Sequence, residues 1–170
     1  MEVQQELKDS GIDLQAVFGP GASEFNLPFA AHTLNLGPQV QCILHRDSQN
    51  WPEGPCPVIV VGKFDHEASG HFIIEEAKVA LELRSGDVMI LLSSLLTHGN
   101  APLRHGEIRL SWTCWMAGGL VRWLAAGCTL VSSLQTRTQQ TKYAERAKEF
   151  ARRGWASLLT ISQLRRRFGM

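Results

Sequence analysis

Between His32 and Met116 the chain changes character every few residues, and that rhythm constrains the fold more than any other feature. Short apolar or alternating runs (HTLNL, QVQCIL, PVIVVGKF, HFIIEE, KVALELRS, DVMILLS, LLTH and EIRLSWTCWM) are separated by GPQ, NWPEGPCP, DHEASG, SGD, GNAPLRHG and AGG. Runs of this length bounded by Gly, Pro, Asn and Asp read as strands. With no helical pattern between them, they predict an antiparallel sandwich or small barrel of about eight strands. A chain of 170 residues, 44% of them hydrophobic, suits one core rather than two.

The flanks follow a different period. Residues 1–18 suit a short helix, and QQTKYAERAKEFARR at 139–153 sets Tyr143, Ala147, Phe150 and Ala151 at helical spacing. Gly154 is expected to end that helix, and Ser162 to cap a second one over QLRRRF. The resulting division is a core over 1–136, with a short helical lead-in, and a basic helical extension over 137–170 packed on the same domain.

Charge separates these regions. Residues 137–167 carry nine Lys and Arg against Glu145 and Glu149, a net +7, which leaves −6 for the rest of a chain whose total is +1. A basic tail on an acidic body makes anionic molecules candidate partners, although a solvated helix face is the commoner meaning of such a run. No run of about 20 apolar residues occurs and the N-terminus lacks the layout of a secretion signal, so no membrane span and an intracellular location are expected. Cys42, Cys56, Cys114 and Cys128 are scattered without CxxC pairing and read as reduced thiols rather than zinc ligands.

The chemistry begins at HRDSQN, residues 45–50, directly after the greasy run VQCIL. In a strand, residues i and i+2 share a face, so His45 and Asp47 project together and Arg46 points away. An imidazole and a carboxylate so placed form half of a metal site. Of the remaining histidines, His32, His66 and His105 read as solvated, and His71 as a satisfied barrel histidine or a group supporting a ligand. His98 ends VMILLSSLLTH at a sheet rim and is the stronger third ligand. Two histidines and one carboxylate leave half of an octahedral ion open, as non-haem Fe(II) oxygenases require; structural zinc fills its four positions with protein. Farther on, IRLSW places Arg109 and Ser111 on one strand face. A guanidinium turned into an apolar interior needs an anionic partner, and a fork plus a hydroxyl matches a carboxylate. A dicarboxylate spanning iron and Arg109, 2-oxoglutarate, is the candidate.

HRDSQN, GKFDHEASGHFIIEEAKVALELRSGDVMILLSSLLTHGN and GEIRLSWTCWMAGGLVRW together resemble the Fe(II)- and 2-oxoglutarate-dependent dioxygenases of the TET/JBP type, especially their fungal branch. The resemblance spans roughly residues 25–127. It implies a double-stranded β-helix, mainly β with flanking helices, of the jelly-roll or cupin-like kind. It implies iron ligands at His45, Asp47 and His98, a 2-oxoglutarate arginine at Arg109 supported by Ser111, and an active-site Asn50 near co-substrate and target base. Dioxygen is then the second co-substrate, and the reaction is hydroxylation of a C–H bond, with a methylated nucleobase in DNA or RNA as the candidate substrate. Such an enzyme flips its base, for which Trp51, Trp112, Trp115 and Trp123 are candidate stacking groups, tryptophans in strands being more often core. A DNA substrate implies a nuclear location. The competing readings are a 2-oxoglutarate oxygenase acting on a protein or small molecule, and an inactive cupin-like metal-binding module.

Overall fold

The computed structural model describes Asp9 and residues 29–169; the helical lead-in expected over 1–18 lies outside the described residues apart from Asp9. The described residues up to Gly119 form one compact unit and those from Leu120 onward a second. The first unit is mainly β, and its strands are β1 (Ala31–Asn35), β2 (Cys56–Lys63), β3 (Phe72–Ile74), β4 (Val79–Leu81), β5 (Val88–Leu91), β6 (His98–Asn100) and β7 (Ile108–Trp115). They form two antiparallel sheets, one in the order β1-β7-β2-β5 and one in the order β4-β3-β6.

The core is where the inner faces of the two sheets meet. Val58 of β2 and Leu91 of β5 are buried with Phe72 and Ile74 of β3, and Leu81, Leu83, Met89 and Leu96 pack against them. Register decides what else lies on those faces, because residues directly opposite in an antiparallel pair point the same way. Val58 pairs with Thr113, Val60 with Ser111 and Gly62 with Arg109, so Arg109 and Ser111 share the inner face of the larger sheet. Ile74 pairs with His98 and Phe72 with Asn100, which puts His98 on the inner face of the smaller sheet.

Two expected strands differ. QVQCIL, 39–44, is no strand but an extended strap whose Ile43 is 81% exposed. Its bonds form no continuous ladder: Val40 N–H donates to the Arg109 carbonyl at 3.1 Å, Asn100 N–H to the Cys42 carbonyl at 3.0 Å, Cys42 N–H to the Asn100 side-chain carbonyl at 2.9 Å and Asn100 Nδ2 to the Val40 carbonyl at 3.3 Å. Its alternation, which promised burial, instead sets apolar groups toward water. Likewise, His98 opens a strand rather than ending one. Leu95 and Leu96 N–H both donate to the Leu92 carbonyl, at 3.0 and 3.1 Å, closing a turn that cuts the long apolar run in two. Gly99 is dictated by the strap: a Cβ there would lie 2.7 Å from the Cys42 carbonyl oxygen.

In the helical part, α1 runs over Gly118–Ala125, α2 over Arg137–Ser157 and α3 over Ile161–Phe168, with a single 3-10 turn at Val131–Ser133. Helix α1 was not expected from the sequence, where AGG read only as a break. Gly154 does not end α2; it is buried inside the helix, which runs on to Ser157. Helix α3 is capped by Thr160 and not by Ser162. The Thr160 hydroxyl accepts from Gln163 N–H at 3.2 Å while the Gln163 side-chain Oε1 accepts from Thr160 N–H at 2.7 Å, a capping box that Ser162, with Arg165 three residues on, cannot make. Among the described residues, no helix is long and apolar enough to cross a membrane.

Candidate metal centre

His45 and His98 face each other across a single antiparallel bridge, each N–H donating to the other's carbonyl at 2.9 Å. The bridge sets both imidazoles on one side, with ring centroids 4.6 Å apart. Each ring is held by its Nδ1, which donates to a carbonyl two residues back: His45 to Ile43 at 2.8 Å and His98 to Leu96 at 2.9 Å. A carbonyl only accepts, so in this arrangement Nδ1 carries a proton, and in the neutral ring that leaves the Nε2 lone pair for a ligand bond.

Both Nε2 atoms turn toward Asp47. His45 Nε2 lies 3.5 Å from Asp47 Oδ1, and His98 Nε2 lies 3.9 Å from Oδ2. One donor atom from each of the three residues falls within 4.8 Å of the other two, and this is the metal-capable group of three found among the described residues. Bonds of about 2.1 Å place two donors about 3 Å apart at a right angle and about 4 Å apart in line, so one ion can span these separations. The donor set, two neutral imidazoles and one carboxylate, fits a divalent ion.

Around this group the sequence reading is incomplete. Asn50, expected near co-substrate and base, turns to the carboxylate: its Nδ2 donates to Asp47 Oδ2 at 3.3 Å and to the Ser93 hydroxyl at 3.1 Å. Ser93 itself was not anticipated. Its carbonyl accepts from Asp47 N–H at 3.0 Å, and its side chain is fully buried beside Cys56, whose thiol burial pushes up to about 11. Nothing in SSLL announces this role. Phe72, also unforeseen, stacks on the His98 ring at 5.9 Å. None of the other described histidines joins the group: His32 lies edge-on to Trp112, and His66 Nδ1 faces Glu82 at 3.7 Å. All four cysteines are free thiols.

Arg109 is only 2% exposed, and burial pushes its guanidinium pKa down. Its Nε has no hydrogen-bond partner, and among the described residues no carboxylate pairs with it. The backbone yields room for it: Gly70, at φ +64°, would set a Cβ 3.3 Å from Arg109 Cδ. Ser111, buried two residues on, accepts from Asn35 Nδ2 at 3.0 Å, which leaves its own proton free to donate. Among the described residues Arg109 is thus a buried cation without a paired anion, an arrangement with room in its hydrogen bonding for a bound one.

No family model and no curated protein matches the chain. Among solved structures, "NgTET1 in complex with 5mC DNA" is similar at a TM-score of 0.49 and 13% identity, over 68% of this chain and 48% of that one. The chain thus spans about half the length of that structure.

Proposed function

We propose that the chain is an Fe(II)- and 2-oxoglutarate-dependent dioxygenase built on a double-stranded β-helix, and that it hydroxylates a C–H bond. The observation that carries this reading is the pairing of two features on facing inner sheet surfaces. One is a His-Asp-His group with both Nε2 atoms turned to a carboxylate; the other is a buried Arg109 with which no carboxylate among the described residues pairs. Metal binding alone needs only the first. A cupin-like module without a dicarboxylate co-substrate has no use for the second.

His45, Asp47 and His98 would hold Fe(II), and Arg109 with Ser111 the distal carboxylate of 2-oxoglutarate. When bound, these groups supply the oxidation: dioxygen and 2-oxoglutarate are consumed, succinate and carbon dioxide leave, and one oxygen atom ends as a hydroxyl on the substrate carbon. The chain's residues do the rest. The carbonyls of Ile43 and Leu96 hold both imidazoles in the ligand tautomer. Asn50 would hold the Asp47 carboxylate and stand beside the co-substrate and target base. Burial strengthens the Arg109 attraction to an anion by excluding water.

A methylated nucleobase in DNA or RNA is the substrate we propose, on the resemblance of HRDSQN, LLTHGN and RLS to the TET/JBP type. The basic segment 137–167 would supply phosphate contacts, with an intracellular location, nuclear if DNA is the substrate, and a division into a catalytic core, 1–136, and a helical extension, 137–170. Anaerobic titration with Fe(II) and 2-oxoglutarate tests the class: a visible charge-transfer band is expected in the wild type and absent in His98→Ala. A wild type without the band sinks the reading. Product mass spectrometry after incubation with methylated DNA and RNA tests the substrate; succinate formed with no oxidised base moves the substrate to a protein or small molecule.

A further inference from the structure

The residue between two of the candidate ligands reaches the opposite way. Because His45 and His98 are directly paired, their neighbours Arg46 and Thr97 meet on the reverse face of the bridge. There Arg46 Nε donates to the Thr97 hydroxyl at 2.9 Å and Nη2 to Glu76 Oε1 at 2.7 Å. Glu76 closes the cycle. Its Oε1 accepts from the Thr97 hydroxyl at 2.7 Å and its Oε2 from Thr97 N–H at 2.8 Å. Glu75 N–H adds a bond to the Thr97 carbonyl at 2.9 Å. Three side chains therefore join three segments: the one carrying His45 and Asp47, the one leading into His98, and the turn after β3.

The segment they hold is tied by polar bonds rather than by packing. Ile43 and Leu44 are exposed, so neither anchors the strap beside the ligands. Backbone bonds tie it at Cys42 to Asn100, at His45 to His98 and at Asp47 to Ser93. The side chains of Arg46, Glu76 and Thr97 add the attachment on the reverse face, where it resists rotation of the segment about those points. A lone exposed ion pair is worth little to stability; here its leverage falls on the separation of the donor atoms instead.

We infer that Arg46, Glu76 and Thr97 form a positioning clamp that sets His45 and Asp47 against His98 and thereby governs metal affinity. None of the three faces the metal side, so they are positioning residues and not catalytic ones. The inference rests on the metal-centre reading above. It assigns a use to the Arg of HRD that alternation alone leaves pointing into solvent.

Mn(II) titration of the full chain, followed by loss of the six-line electron paramagnetic resonance signal of the free ion, tests it without turnover. Glu76→Gln keeps the shape and removes the charge. It is expected to weaken Mn(II) binding about 10-fold, as loss of a supporting residue around a metal ligand does, with only a small fall in the thermal midpoint at neutral pH, because the pair is exposed. Thr97→Val, which removes one hydroxyl, should weaken binding in the same direction and serves if Glu76→Gln fails to fold. Arg46→Met, which keeps the stem and removes the guanidinium, should weaken binding in the same direction. Binding equal to wild type in all three variants overturns the clamp, as does weakening matched by lost thermal stability. A wild type that leaves the Mn(II) signal untouched is a different failure: it removes the metal centre itself, and the clamp with it.

Discussion

The two histidines of the candidate centre are held by different physics. His98 is 6% exposed, sits on the inner face of its sheet and stacks on Phe72, so the hydrophobic core fixes it. His45 has a side chain 41% exposed and rides on an exposed strap, fixed by a backbone bridge and polar side chains. The difference teaches what the position of each ligand rests on. The core-facing ligand is held by packing, whereas His45 and Asp47 are placed by hydrogen bonds and depend on the polar groups that make them. Incoming molecules have access on the strap side, where the ligands are open to water.

The largest effect should come from the buried side. Phe72→Ala is expected to cost about 3–5 kcal/mol of stability, measured by denaturant unfolding, whereas Ile43→Ser on the strap should stay within about 0.5 kcal/mol. Similar costs for the two would break the comparison. Next, His98→Ala and His45→Ala should both abolish Fe(II) binding, yet only His98→Ala should lower the stability of the metal-free protein, by about 1–3 kcal/mol. Calorimetry on the metal-free protein separates them.

Arg109→Met carries the comparison across to the facing sheet. A buried guanidinium without an acid is a cost that an apolar side chain of similar length relieves, so the variant should be more stable by about 1 kcal/mol while losing 2-oxoglutarate affinity and keeping Fe(II). A destabilised variant would mean that Arg109 is structural. The smallest effect concerns pH. Bonds from the Thr97 hydroxyl and N–H, with Arg46, hold the Glu76 carboxyl down at about 2. A folded pKa below the unfolded one contributes stability that is present above about 4.5 and is lost as pH falls toward 2. Glu76→Gln should flatten that part of the stability curve, and an unchanged acid limb would show that the network does not survive in solution.

Legibility varied with how far apart the partners lie. The runs that became β2, β5 and β7 were readable because alternation and turn residues are local. The capping box at Thr160 was equally local, since Thr-x-x-Gln is visible in the sequence, yet the serine two residues on competed for the role. The strap at 39–44 was not readable as one: alternation describes side chains, and whether a segment gains ladder partners depends on what packs beside it. Ser93 and Phe72 stayed hidden because their contacts to Asn50 and His98 cross 43 and 26 residues of chain. Nor could spacing reveal Glu76, 30 residues from Arg46.

The sequence by itself determined a mainly β chain, and it put His45 and Asp47 on one face and Arg109 and Ser111 on another, because period-two alternation is a property of the backbone. Only the tertiary structure decided that His98 lies opposite His45, that Asn50 turns to Asp47, and that Arg46 closes a cycle with Glu76 and Thr97. Those are distances between segments far apart in the chain, and they are set by sheet register and core packing.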